Sequence, residues 1–306
     1  MNGWRSLSHD VVAARGVSTL LGRSARVKES DGPLRPPRAS GRPLLCLSDI
    51  HGDLGALESV LAAVKHLDLC GIVVAGDHCV GGSQPFEVYT RLVSLGAHLA
   101  RGPSDLALGA LAAGIVDPTP TTAIEDARLV QFLRTKKALG DVVCRRLADL
   151  PSTLVVSLDD TSGVMAMHGS PADDSRGLVD DDTLADQVAC VAEDVLVTGA
   201  THEPFARAID RIDEPSTDVG DDGAFDAERS AAELFFAERP TDLALPRPTL
   251  PLLVVNCGSV GMSPTRRKDR RRTAHAVLVA PCDDGRVHAW GNDILIVARA
   301  RARSVG

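Results

Sequence analysis

Five short apolar runs in this chain each break into a turn of polar residues and glycine, and that repeated punctuation constrains the fold more than any other feature. Leu44-Leu45-Cys46-Leu47 runs into Ser48-Asp49-Ile50-His51-Gly52-Asp53, and Ile72-Val73-Val74-Ala75 runs into Gly76-Asp77. The run ending at Met167 meets His168-Gly169-Ser170-Pro171, and Val195-Leu196-Val197 leads to Gly199-Ala200-Thr201-His202. Leu252-Leu253-Val254-Val255 leads to Asn256-Cys257-Gly258-Ser259-Val260-Gly261. Apolar runs this short, bounded by turn residues, read as buried strands. Strand ends gathered along one edge are where a rigid scaffold presents ligands. Side chains alternate along a strand, so Asp49 and His51 are expected on one side of the first strand end, with Asp77 beside them from the second. Carboxylate and imidazole make a mixed oxygen and nitrogen donor set that suits manganese, iron or zinc.

Between these runs the periodicity changes. Leu54, Leu57, Val60, Leu61, Val64 and Leu67 recur at helical spacing, a second helix is expected from Phe86 to Leu95, and a short strand from His98 to Ala100. Strand and helix alternate as in α/β folds. Residues 105–150 read mainly as helix, broken at 114–121 and at Gly140; the second half is strand-rich, with candidates at 153–158, 164–167, 195–198, 252–255, 276–279 and 287–290. Residues 1–42 show no sustained periodicity and end in a Gly/Pro/Arg/Ser-rich stretch, which predicts a disordered or loosely attached extension. A single domain is expected over 43–300, with an acidic insertion around 210–248 that holds one short helix at 227–237.

Charge narrows the partners. Residues 1–42 carry eight Lys/Arg against three Asp/Glu, so the total of −8 conceals a body at −13. An acidic body opposes broad nucleic-acid binding, which needs a cationic face. The local exception is the basic run at 266–272, which reads as a solvated loop or as an attractor for a polyphosphate or nucleotide. The seven cysteines form no C-x-x-C pair and read as buried free thiols. No apolar stretch approaches the roughly 20 residues of a membrane helix, and no signal segment opens the chain, so a cytoplasmic protein without a membrane partner is expected.

Taken in order, the five turns resemble the motifs of the calcineurin-like metallophosphoesterases, in the branch of small bacterial phosphodiesterases and diadenosine tetraphosphatase-like enzymes. Asp49-Ile50-His51 matches D-x-H, Gly76-Asp77 through Gly82 matches G-D-x-x-x-x-G, His168-Gly169-Ser170-Pro171 matches H-G-S-P, and Gly199-Ala200-Thr201-His202 stands for G-H-T-H. Asn256 to Gly261 stands for the closing N-P-G-S-V-G turn. The resemblance covers about residues 44–290. It implies a four-layer α/β/β/α sandwich, a small phosphorylated substrate or nucleotide, and two divalent ions sharing one carboxylate. Asp49, His51, Asp77 and His202 would hold the first ion; Asp77 again and His168 would belong to the second.

Two second-ion ligands of that pattern are missing. Gly102-Pro103-Ser104-Asp105 aligns with G-N-H-D, which puts Pro103 where the pattern has an Asn ligand, and Ala200 stands where G-H-T-H has its first His. Ser104 likewise replaces a His. The implied chemistry is in-line phosphoester hydrolysis with ions neutralising the phosphoryl oxygens, here with one complete site and a weakened second. The other reading is an inactive relative acting as a metal- or nucleotide-binding regulatory module. For His168 a buried, hydrogen-bonded imidazole without metal is the competing reading; His78 and His98 read either as donors to a rebuilt second site or as surface or packing residues. Asn256, Gly258 and Ser259 read either as phosphate-facing substrate binders or as a tight turn.

Overall fold

The computed structural model describes residues 5–6, 41–115, 123–159, 162–211, 251–263, 272–282 and 287–295. Most of the 1–42 extension, nearly all of the 210–248 insertion with its 227–237 helix, and the basic run up to residue 271 lie outside them.

Strand β1 is the two-residue Arg5–Ser6, and β2 is Leu44–Leu47, the first apolar run. Then follow α1 (Leu54–Val64), β3 (Gly71–Ala75), α2 (Pro85–Ser94), β4 (His98–Ala100) and α3 (Pro103–Ala112). The helical stretch α4 (Ala123–Ala148) is interrupted at Gly140, whose φ of 74° and ψ of 159° leave the helical region. The second half supplies β5 (Thr153–Ser157), β6 (Gly163–Met167), α5 (Leu184–Val188), β7 (Val195–Thr198), β8 (Phe205–Ile209), β9 (Leu252–Asn256), β10 (Thr273–Pro281) and β11 (Val287–Leu295).

These strands form two sheets, ordered β1-β11-β10-β2-β3-β4 and β5-β6-β7-β9-β8. In the first, β2 pairs parallel with β3 and β3 with β4; in the second, β6, β7 and β9 run parallel. Parallel neighbours bring their C-terminal ends to the same edge, so the turns carrying Asp49 and Asp77 open together, and so do those carrying His168, His202 and Asn256.

Alternation along each strand builds the layers. Leu44, Cys46, Val73 and Ala75 pack against Val164, Ala166, Val195, Val197 and Val255 between the sheets. The opposite faces of β2 and β3, with Leu45, Leu47, Ile72 and Val74, are covered by Leu57, Val60 and Val64 of α1 and by Val88 and Leu92 of α2. Leu196, Leu252 and Val254 bury their outer face under Leu178, Leu184 and Val188. The result is the expected α/β/β/α sandwich. Its outer layer on the second sheet is thin, because α5 has five residues and the segment before it is largely turns.

Two strands escape the sequence pattern. β8 has no fully buried position and so no apolar alternation to betray it. β1 is two residues paired to β11 at the sheet edge. Cysteines 46, 79, 144, 257 and 282 are buried as expected, but Cys70 and Cys190 are exposed. No described helix is long and apolar enough to cross a membrane.

Candidate metal centre

The local geometry of the ligand-bearing turns corrects one expectation. β2 ends at Leu47, and Asp49 (φ 55°), His51 (φ 50°), Asp77 (φ 55°) and His202 (φ 62°) all lie in the left-handed region, where non-glycine residues are uncommon. Strand alternation is therefore not what places Asp49 and His51 together; a strained turn is. Hydrogen bonds from both sides hold it. Asp49 N donates to Gly76 O at 3.1 Å and His51 N to Asp77 O at 3.0 Å, while Val260 N and Gly261 N donate to Ser48 O and Asp49 O at 3.1 and 3.0 Å.

Among the described residues two groups of ligand atoms converge: Asp49, His51 and His202, and Asp49, Asp77 and His168. Asp49 is common to both, where the resemblance implied Asp77. In the first group Asp49 Oδ1 lies 3.0 Å from His202 Nε2 and 3.4 Å from His51 Nε2, and the two Nε2 atoms are 3.3 Å apart. An ion with arms of about 2.1 Å has neighbouring ligands about 3.0 Å apart at right angles and about 3.4 Å apart in a tetrahedron. The second group is looser. His168 Nε2 is 3.8 Å from Asp77 Oδ2 and 4.0 Å from Asp49 Oδ1.

Two of the imidazoles are fixed in the form a metal needs. His51 Nδ1 donates to Val80 O at 2.7 Å and His168 Nδ1 donates to Ala75 O at 2.7 Å. Carbonyl oxygens accept only, so each Nδ1 carries a proton, which leaves Nε2 as the ring atom that either imidazole can offer an ion. The field at the centre favours positive charge. Burial pushes the Asp49 carboxyl upward, but hydrogen bonds with His202 and His51 and the nearby His168 override it and hold it below the usual carboxylate range. Burial pulls the His51 imidazole down, yet the hydrogen bond and charge of Asp49, and then Asp77, raise it above its ordinary value.

Asp49 Oδ2 faces away from this centre, accepting from Ala200 N at 3.1 Å and lying 2.6 Å from Ser48 Oγ. Asp77 Oδ1 is also occupied, by Ser104 N at 3.0 Å and Ser104 Oγ at 2.8 Å, which leaves Oδ2 towards His168. Ala200 and Pro103 contribute no donor side chain. His98 lies on the exposed start of β4, and His78 is fully buried against Asp105.

The closing turn is held by hydrogen bonds to its neighbours. Asn256 and Ser259 are 0% exposed. Asn256 Nδ2 donates to Gly199 O at 2.7 Å, and its Oδ1 accepts from Gly258 N at 2.9 Å. Ser259 Oγ donates to Asp49 O at 2.9 Å and accepts from Met262 N at 2.8 Å. Asn256 Nδ2 also donates to Thr201 Oγ1 at 3.1 Å, so Asn256 and Ser259 tie the closing turn to the turns that carry His202 and Asp49. Sequence reasoning gave no role to Asp105 or to His275, which accepts from Ser259 N at 3.4 Å and lies 3.0 Å from Ser263 Oγ. The signal for Asp105 was its position in the first turn of α3, three residues after the helix-capping Gly102.

No family model matches the chain, and no curated protein does. Solved structures do. A metallophosphoesterase from Sphaerobacter thermophilus matches with a TM-score of 0.56 at 21% identity, over 84% of this chain and 90% of its own. A hypothetical protein from Pyrococcus horikoshii matches with a TM-score of 0.57 at 17% identity, over 84% of this chain and 89% of its own. At that identity the likeness establishes architecture: the chain carries the α/β/β/α fold of the metallophosphoesterases.

Proposed function

We propose that the chain is a metal-dependent phosphoesterase that hydrolyses phosphomonoesters or phosphodiesters, nucleotides among them, at the edge bearing Asp49, His51, His202, Asp77 and His168. The observation that carries this reading is the convergence of His51 Nε2 and His202 Nε2 on Asp49 Oδ1 at coordination-polyhedron spacing. The His51 ring is pinned by a backbone carbonyl so that its Nε2 faces inward. Manganese, iron or zinc fits that donor set. When bound, such an ion supplies Lewis acidity towards a phosphoryl oxygen and a water activated near neutral pH.

The chain's own residues fix where this happens. Asp49 supplies the anionic oxygen common to both groups, His168 is held by Ala75 O, and Ser104 restricts Asp77 to one free oxygen. Ala200 and Pro103 favour a second reading, metal binding without turnover, because a second ion finds few donors there. Hydrolysis of bis(p-nitrophenyl) phosphate by the purified chain with Mn²⁺, against chelated protein and Asp49→Asn, tests both. Turnover lost in both controls supports the enzyme. Mn²⁺ binding without turnover supports the binding module, and neither binding nor turnover removes the metal reading.

A further inference from the structure

The carboxylate of Asp105 is 0% exposed and collects four donors. Its Oδ2 accepts from Asp77 N at 3.0 Å, Gly102 N at 2.9 Å and His78 Nδ1 at 2.8 Å, and its Oδ1 from His78 N at 3.3 Å. Three of these donors, Asp77 N, His78 N and His78 Nδ1, belong to the turn after β3, where Gly76 (φ 87°) and Asp77 (φ 55°) are successively left-handed. The fourth, Gly102 N, belongs to the start of α3. The residue before Asp105 on that helix, Ser104, holds Asp77 Oδ1 through both its N and Oγ. One buried carboxylate therefore ties the backbone of Asp77 to the same helical turn that grips the Asp77 side chain.

His78 adds a second observation. Its Nε2 is buried and has no hydrogen-bond partner, a cost an apolar residue of similar size would avoid. A buried ion pair is weak evidence for stability in itself. What His78 contributes is its Nδ1–H, which completes the shell around Asp105.

We propose that Asp105, oriented by His78, is a positioning residue that sets Asp77 as a one-oxygen ligand facing His168. The proposal rests on the metal reading above and deepens it. Outer partners of metal ligands typically govern about 10–100-fold in affinity.

The test is Mn²⁺ titration, followed by calorimetry and by the Mn²⁺ electron paramagnetic resonance signal, on the whole chain and four variants. Asp105→Asn and His78→Leu should each weaken binding of the ion held by Asp77 and His168 about 10–100-fold. His78→Asn puts an amide N–H near the place of Nδ1 and should stay within about threefold of wild type. Leu139→Ala, cut from the core beside α3, should lower Tm without weakening Mn²⁺ binding. If Asp105→Asn does not fold, the contrast of His78→Leu with His78→Asn still decides. Wild-type affinity in both Asp105→Asn and His78→Leu, or an equal loss in Leu139→Ala, would overturn the proposal while leaving the metal reading standing. A wild-type chain that binds no Mn²⁺ would overturn both.

Discussion

Replacing Asp49 by asparagine separates what this carboxylate does for an ion from what it does for the fold. Oδ2 lies against Ser48 Oγ and Ala200 N, and Oδ1 faces the Nε2 atoms of His202 and His51. An amide of the same shape keeps its oxygen towards Ser48 and Ala200 and turns its N–H₂ towards an imidazole lone pair. With His51 neutral, the metal-free variant should therefore differ from wild type by about 1 kcal/mol or less, or about 2–4 °C in Tm. The ion fares differently, because its anionic ligand in the tighter group becomes a donor pointing at it. Removing one partner of a buried charge pair costs about 3–5 kcal/mol, which is about 10²–10⁴-fold in Kd. Wild type at 100 times Kd should gain about 2.7 kcal/mol from Mn²⁺, or about 5–10 °C, and Asp49→Asn should gain nothing measurable. Asp77→Asn leaves Asp49, His51 and His202 in place and should keep the first Mn²⁺ within a few-fold while weakening a second. Calorimetry and thermal unfolding on chelated, then titrated protein provide the readout. Wild-type Mn²⁺ affinity in Asp49→Asn would refute the reasoning, and so would loss of all binding in Asp77→Asn, which would make Asp77 the shared carboxylate.

Other consequences can be measured with the same protein. Restoring donors with Pro103→Asn and Ala200→His together should raise Mn²⁺ stoichiometry towards two per chain and increase bis(p-nitrophenyl) phosphate turnover at least tenfold; unchanged stoichiometry would mean that the second group is closed to an ion. A Cβ added at Gly199 would lie 2.6 Å from Asp49 Oδ2 and also collide with Ser48, so Gly199→Ala should cost about 1–3 kcal/mol in urea unfolding and abolish the Mn²⁺-induced Tm gain. The buried His78–Asp105 pair carries its own pH signature. Burial lowers His78 and raises Asp105, but their mutual charge and hydrogen bond outweigh it, so His78 ends raised and Asp105 lowered. A raised histidine stabilises below its unfolded value and loses that contribution as pH rises through the folded one; a lowered carboxylate stabilises above its unfolded value and loses it as pH falls. In chelator, the Tm advantage of wild type over His78→Leu should be greatest between about pH 4 and 6.5 and shrink on either side, whereas a flat difference from pH 3 to 9 would refute the pairing.

The layered fold was legible because each buried strand of the site edge is a short apolar run closed by a turn. The runs at 195–198 and 252–255 fall within one residue of β7 and β9. The break at Gly140 was legible from the glycine itself. β8 stayed hidden because an edge strand with every residue half exposed carries no alternation. The ligand residues were legible as types in order, yet their arrangement was not. Composition does not reveal that Asp49, His51, Asp77 and His202 are left-handed, nor that Ser104 takes one oxygen of Asp77. These depend on hydrogen bonds between segments far apart in sequence, such as Ser259 Oγ to Asp49 O across 210 positions. The same kind of long-range bond ties Asn256 to Gly199 and Ser259 to Asp49, which the turn's composition does not reveal.

Crystals grown with Mn²⁺ and measured at the manganese absorption edge would test the central claim most directly. The account predicts an anomalous peak within about 2.0–2.3 Å of Asp49 Oδ1, His51 Nε2 and His202 Nε2, with any second, weaker peak beside Asp77 Oδ2 and His168 Nε2. Ordered density for all five side chains with no anomalous peak among them, or a peak from which Asp49 is absent, would contradict it.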